Sequence, residues 1–193
     1  MVYMQPRLST GRLLPRNDWE GDDRTPGAGG AYVTCQDTAV GRMVAFATNG
    51  RIDKDGKVYR AAHRPYDSDG VSLRQMVGPV KSVAHLTLMT PQGWHWGDAL
   101  AHLKAGRGLV VDGWYDSLSR PYRYQASADF AHAIWVSHYT STSGMRVWDP
   151  LNPDTHGFGR WIPASEIRKF AEKLSAHSGA QALYVGYVPL QPL

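Results

Sequence analysis

Phe130-Ala131-His132-Ala133-Ile134-Trp135-Val136-Ser137-His138-Tyr139 and, after six intervening residues, Arg146-Val147-Trp148-Asp149-Pro150 read as two strands joined by a short polar turn. In the first, alternation places His132, Ile134, Val136 and His138 on one face. Antiparallel pairing of 132–139 with 145–149 brings Asp149 back towards His132. A carboxylate at that point can fix the imidazole tautomer and stabilise the imidazolium. The plain structural readings are a satisfied strand histidine and an Asp-Pro turn.

Outward from this hairpin, Leu109 to Trp114 reads as a buried strand. It follows a short helix over 98–103 that is ended by Gly106 and Gly108. His85 to Met89 alternates enough for a strand, and Ser72 with Gln75 is a capping-box signature for a short helix. Residues 51–60 read as a hairpin about Asp53-Lys54-Asp55-Gly56. A calcium loop there fails for want of the later ligand positions and the twelfth-place Glu. Ala39, Val40, Met43, Val44, Phe46 and Ala47 recur at helical spacing, which predicts a largely buried helix over 36–48. Cys35 stands at its N-terminus and Asn49-Gly50 at its end. Downstream, Pro163 opens an amphipathic helix to about Leu174, and 182–188 reads as a closing strand. The strands are mostly hairpin-connected and not separated by regular helices, so the fold class is α+β. Residues 1–31, with Thr25-Pro26-Gly27-Ala28-Gly29-Gly30, read as an irregular N-terminal arm, and 32–193 as the domain.

Composition narrows the function classes. The 193 residues are 42% hydrophobic and 20% charged, which excludes a disordered chain, a coiled coil and a collagen-like rod. No stretch approaches about 18 uninterrupted apolar residues, so no membrane span is expected. The first ten residues lack an apolar core, so no secretory leader is expected and the protein is taken to be made in the cytoplasm. A single cysteine excludes an internal disulfide framework and any zinc site built on several thiolates. The net charge of +4, with 15 Arg and 6 Lys, is spread along the chain, without the basic block of a nucleic-acid arm.

Cys35 at a helix start is placed where the helix dipole and unsatisfied N–H groups favour thiolate. A nucleophilic cysteine needs that help, because an unperturbed thiol is mostly protonated at neutral pH. Cys at a helix start, His opening a strand and Asp one hairpin later form an ordered set suited to thiol chemistry.

That order resembles the papain-like cysteine peptidases, closest to the C39-like group. The resemblance covers roughly residues 30–175. It is carried by Tyr32-Val33-Thr34-Cys35 before an Ala/Met/Phe helix and by Asp98 through Val111. It is carried also by Phe130-Ala131-His132-Ala133-Ile134-Trp135-Val136, by Arg146-Val147-Trp148-Asp149-Pro150, and by Gly159-Arg160-Trp161 before a helix. It implies a papain-like domain in which a Cys-bearing helix packs on a twisted antiparallel sheet. It implies Cys35 as nucleophile, His132 as general base and acid, and Asp149 as orienter. Two positions depart from the pattern: Gln36 follows the cysteine where the family has Gly, and Gly29 stands where it has a Gln oxyanion donor. The expected donors here are the Cys35 N–H and either the Gln36 side chain or Gln5 folding back. Trp94, Trp96 and Trp114 are candidate substrate-cleft walls.

Two other chemistries are weighed from the residues. His132, His138, His156 and Asp149 are metal-ligand types, but six residues along a strand span about 20 Å, too far for one ion. No metal site is expected. Trp94, Trp96, Trp114 and Tyr115 could stack bases, but aromatics at 11% are more simply core and cleft lining, and nucleic acid is not an expected partner. The expected function is a thiol peptidase or amidase needing no cofactor. Small C39-like domains of this kind resemble those of bacteriophages, which implies peptidoglycan stem peptides as substrate. The alternative is a papain-like fold kept as a structural part of a phage virion, with residues 1–31 docking onto phage structural proteins.

Overall fold

The computed structural model describes residues 35–48, 71–105, 107–124, 127, 129–152 and 159–178, and the backbone of 183–186. The expected arm at 1–31, the hairpin at 51–60, Gly29 and His156 lie outside the described residues. The described elements, in chain order, are α1 (Cys35–Ala47), α2 (Leu73–Ala84), β1 (Gln92–Gly93), α3 (Trp96–Lys104), β2 (Leu109–Trp114), β3 (Ala131–Thr140), β4 (Gly144–Trp148), β5 (Arg160–Ile162), α4 (Ala164–Ser178) and β6 (Leu183–Gly186).

Among the described residues the strands form one six-stranded sheet in the order β1-β6-β2-β3-β4-β5. Every pairing is antiparallel. The architecture is therefore α+β, with the Cys-bearing helix packed against a multi-stranded antiparallel sheet. The two edge strands are only two and three residues long, which limits unpaired edge backbone.

Alternation along the central strands divides the core. Val110, Ala133, Trp135 and Trp148 pack with Ala39, Val40, Met43 and Val44 of α1 and with Leu73, Met76 and Val80 of α2. Leu109, Val111, Ile134, Val136 and Val147 pack with Ile167, Phe170 and Ala171 of α4 and with Ala99 and Leu103 of α3. Helix α1 is buried all round except at Gln36: its Ala, Val, Met and Phe residues join the core, and Asp37, Thr38 and Arg42 are buried with them.

Three sequence expectations are revised. The stretch 85–89 is not a strand. His85 adopts a left-handed conformation (φ 52°) and closes α2, its N–H donating to the Lys81 carbonyl at 3.2 Å. Only Leu88 forms an isolated bridge, and the Met89 N–H donates to the Gly186 carbonyl. The face expected to hold both His132 and His138 is interrupted by a bulge between Val136 and His138. One extra residue reverses the side-chain parity. His138 therefore meets Phe46 of α1 edge-on at 5.5 Å, whereas Val136 packs on the α4 side. The third revision is β5: Trp161, read only as preceding a helix, lies in a short strand paired with β4.

Gly113 shows how closely α4 seats on the sheet. A Cβ there would lie 2.1 Å from Phe170 Cδ1, well inside contact distance. Gly113→Ala is expected to lower the unfolding free energy by about 1–3 kcal/mol through overpacking, read as a fall in the urea midpoint at unchanged slope. Trimming Phe170 to Leu in the same chain should recover part of the loss. A midpoint equal to wild type would show that Phe170 does not limit this site.

Candidate active site

His132 is the second residue of β3 and Asp149 follows the last residue of β4. Trp135 pairs with Trp148. One further step of that register sets Asp149 level with Ile134, a single side-chain step from His132 on the same face. The result is a contact of 2.7 Å between His132 Nε2 and Asp149 Oδ1, with both side chains essentially inaccessible. The hairpin reading of the sequence thus brings these two residues together.

Asp149 is held from three directions. Its Oδ1 also accepts the Leu151 N–H at 2.9 Å, and its Oδ2 accepts the Tyr115 hydroxyl at 3.0 Å. The Asn152 N–H donates to the Asp149 carbonyl at 3.1 Å, so the Asp-Pro segment is also a tight turn. The turn thus aims the carboxylate at His132. Because Nε2 faces Asp149, Nδ1 is the nitrogen on the other side of the ring, and the tautomer is set by the carboxylate.

Cys35 is the first residue of α1, with 8% of its surface exposed. The neighbouring Gln36 Nε2 donates to Asp112 Oδ1 at 3.3 Å. Asp112 precedes Gly113, which pairs directly with His132. This contact ties the first turn of α1 to the end of the sheet where His132 lies. Gln36, expected as an oxyanion donor, has one amide hydrogen directed at Asp112.

Asp112 and the hydroxyl of Tyr115 escape a sequence reading aimed at nucleophiles and bases. The signal for Asp112 is an acid inside the apolar run Leu109–Trp114, since a buried acid requires a partner. Burial pushes its carboxyl up from 3.8 to about 7, against the opposing pulls of the Gln36 hydrogen bond and the His132 charge. His138 lies away from the pair. Burial, helped by Arg146, lowers it to about 4, and its Nδ1 meets Ser137 Oγ at 2.8 Å. Among the described residues no group of three His, Cys, Asp or Glu is placed to hold a metal ion. No helix there is long and apolar enough to cross a membrane.

The three tryptophans pack against the α4-side core. Trp94 and Trp96 lie 6.2 Å apart, and Arg168 of α4 covers Trp96. Trp114 stacks on His177 at 4.0 Å and donates to Asp129 at 2.7 Å. It ends β2 opposite Ala131, one residue from His132, whereas Trp96 meets Arg168 of α4.

No family model and no curated protein matches the sequence. In fold, seven solved chains match. One is a Bacillus anthracis protein described as a C39-like peptidase, with a TM-score of 0.55 at 12% identity, covering 82% of this chain and 90% of that one. At that identity the likeness shows the fold alone: this chain shares its fold with a protein described as a C39-like peptidase.

The raised Asp112 value has a consequence for stability. Between about pH 4 and pH 7 the native state keeps a proton that the unfolded chain has lost. The group therefore favours the fold most at low pH, and this contribution is lost as pH rises through about 7. Asp112→Asn, which cannot ionise, should gain on wild type across that range by up to about 4 kcal/mol. Urea unfolding of both proteins at pH 4, 5.5 and 7.5 checks this. Parallel stability curves would contradict it.

Proposed function

We propose that the domain is a thiol peptidase or amidase in which Cys35 is the nucleophile, His132 the general base and acid, and Asp149 the orienting carboxylate. The observation that carries this reading is the buried 2.7 Å contact between His132 and Asp149, at the end of a sheet against which a helix beginning at Cys35 is packed. The fold shared with a protein described as a C39-like peptidase supports it.

On this reading His132 Nδ1 takes the Cys35 proton, and the thiolate attacks the carbonyl carbon of a peptide bond. The tetrahedral intermediate collapses as His132 returns the proton to the leaving amine. Water, deprotonated by His132, then hydrolyses the thioester and releases the acid. Asp149 holds Nε2–H throughout and stabilises the imidazolium. The Cys35 N–H at the start of α1 serves the oxyanion, and the Gln36 amide, braced by Asp112, lies beside it. On this reading Trp114 is the cleft wall nearest His132, with Trp96 and its neighbour Trp94 as further walls. Peptidoglycan stem peptides in a bacteriophage setting are the first substrate to try.

A structural role without catalysis is the second reading. In its favour, Gln36 spends a donor on Asp112 and Cys35 is mostly covered. On that reading the protein serves as a virion component.

Alkylation of Cys35 by iodoacetamide as a function of pH separates the two. The peptidase reading expects wild type to react well below pH 8.5, the ordinary thiol range, with His132→Ala losing that low-pH reactivity. Once a substrate is found, His132→Ala and Asp149→Asn should each lower kcat by roughly 10²–10⁴-fold. A Cys35 that titrates like a free thiol in both wild type and His132→Ala leaves the structural reading.

A further inference from the structure

Tyr115 follows the last residue of β2 and begins a short 3₁₀ turn. Its side chain is fully buried, and its hydroxyl makes two hydrogen bonds whose directions are fixed by chemistry. The Tyr124 N–H, which can only donate, meets the phenolic oxygen at 3.0 Å. Asp149 Oδ2 lies 3.0 Å from the same oxygen, so the single hydroxyl hydrogen goes to the carboxylate. Burial, and after it the nearby Asp149 charge, pushes the phenol above its usual range, so it stays a donor.

The ring supports the histidine as well. Tyr115 meets His132 edge-on at 4.9 Å and 72°. Phe130 stacks parallel on Tyr115 at 5.7 Å and meets His132 at 6.0 Å and 77°. The Tyr115 N–H donates to the Phe130 carbonyl at 3.0 Å, which carries the β2–β3 ladder one step past the sheet. His132 therefore stands in an aromatic corner, and the carboxylate on its Nε2 is held on the far oxygen by the residue that forms one wall.

We propose that Tyr115 is a positioning residue for the His132–Asp149 pair, fixing both the carboxylate and the imidazole ring and linking them to the surface segment at Tyr124. The proposal rests on the reading of His132 and Asp149 as catalytic groups, and it extends that reading to the segment beside the site. Tyr124 is 49% exposed, and its backbone is two hydrogen bonds from Asp149. A substrate that contacts Tyr124 would therefore act on the orientation of the catalytic carboxylate. The loss of a hydrogen bond to a charged group makes the Tyr115 hydroxyl worth about tenfold in the reactivity it supports.

The test uses the downfield proton resonance of His132 Nε2–H in the full chain, assigned by its loss in His132→Ala, together with the Cys35 alkylation rate at pH 6. Tyr115→Phe keeps the ring and removes the hydroxyl. The resonance should broaden through faster solvent exchange, and the alkylation rate should fall about tenfold, while far-UV circular dichroism stays that of wild type. A sharp, unmoved resonance with an unchanged alkylation profile would overturn the proposal. Should Tyr115→Phe fail to fold, 3-fluorotyrosine at position 115 retains the hydroxyl as a stronger donor. The resonance must then shift from its wild-type position, and no shift would overturn the proposal. The two readings fail separately. An inert Cys35 in wild type removes the peptidase reading, whereas the His132 resonance still reports on Tyr115.

Discussion

A carboxylate taken out of water must be matched by donors, and the burial of Asp149 sets that demand at the centre of this molecule. Among the groups that meet it are the His132 ring, the Leu151 N–H and the Tyr115 hydroxyl. Each comes from a different piece of structure. His132 requires β3 to pair with β4 in the observed register, Leu151 requires the Asp-Pro turn, and Tyr115 requires β2 to end where it does beside β3. A one-residue slip in either strand pairing would turn its side chains to the opposite face and leave a buried charge with fewer partners.

The same sheet positions the thiol. Its α1 face is built from Val110, Ala133, Trp135 and Trp148, and α1 lies on it, buried along nearly its whole length. The first turn of that helix is tied to β2 by Gln36 and Asp112. Packing on the sheet thus seats α1, and the Gln36–Asp112 contact sets its first turn against the end of the sheet that carries His132. Burial raises the Asp112 carboxyl and so opposes its ionisation at neutral pH.

Much of this could be read from the residues alone, for identifiable reasons. Strands β2, β3 and β4, the helix at Cys35 and the helix after Pro163 carry strong periodicity and clear turn residues. The pairing of His132 with Asp149 follows from a short hairpin, where sequence separation limits the geometry. The bulge that moves His138 across the sheet leaves no mark in the alternation of Val136-Ser137-His138. The left-handed cap at His85 was hidden because a non-glycine residue takes that conformation only when the neighbouring structure imposes it. Asp112 and the Tyr115 hydroxyl depend on contacts between residues 34 to 76 positions apart, which no local pattern encodes.

The central claim is that Cys35 and His132 share one site, and a bifunctional alkylating agent tests it most directly. 1,3-Dibromoacetone carries two electrophilic carbons separated by one carbonyl, so it bridges only a thiol and an imidazole that already lie side by side. Treated with one equivalent at neutral pH and mapped by peptide mass, the folded protein should yield an intramolecular bridge between Cys35 and His132, absent from His132→Ala and from urea-unfolded chain. Cys35 carrying only a single-ended adduct, or a bridge to another residue, would contradict the account.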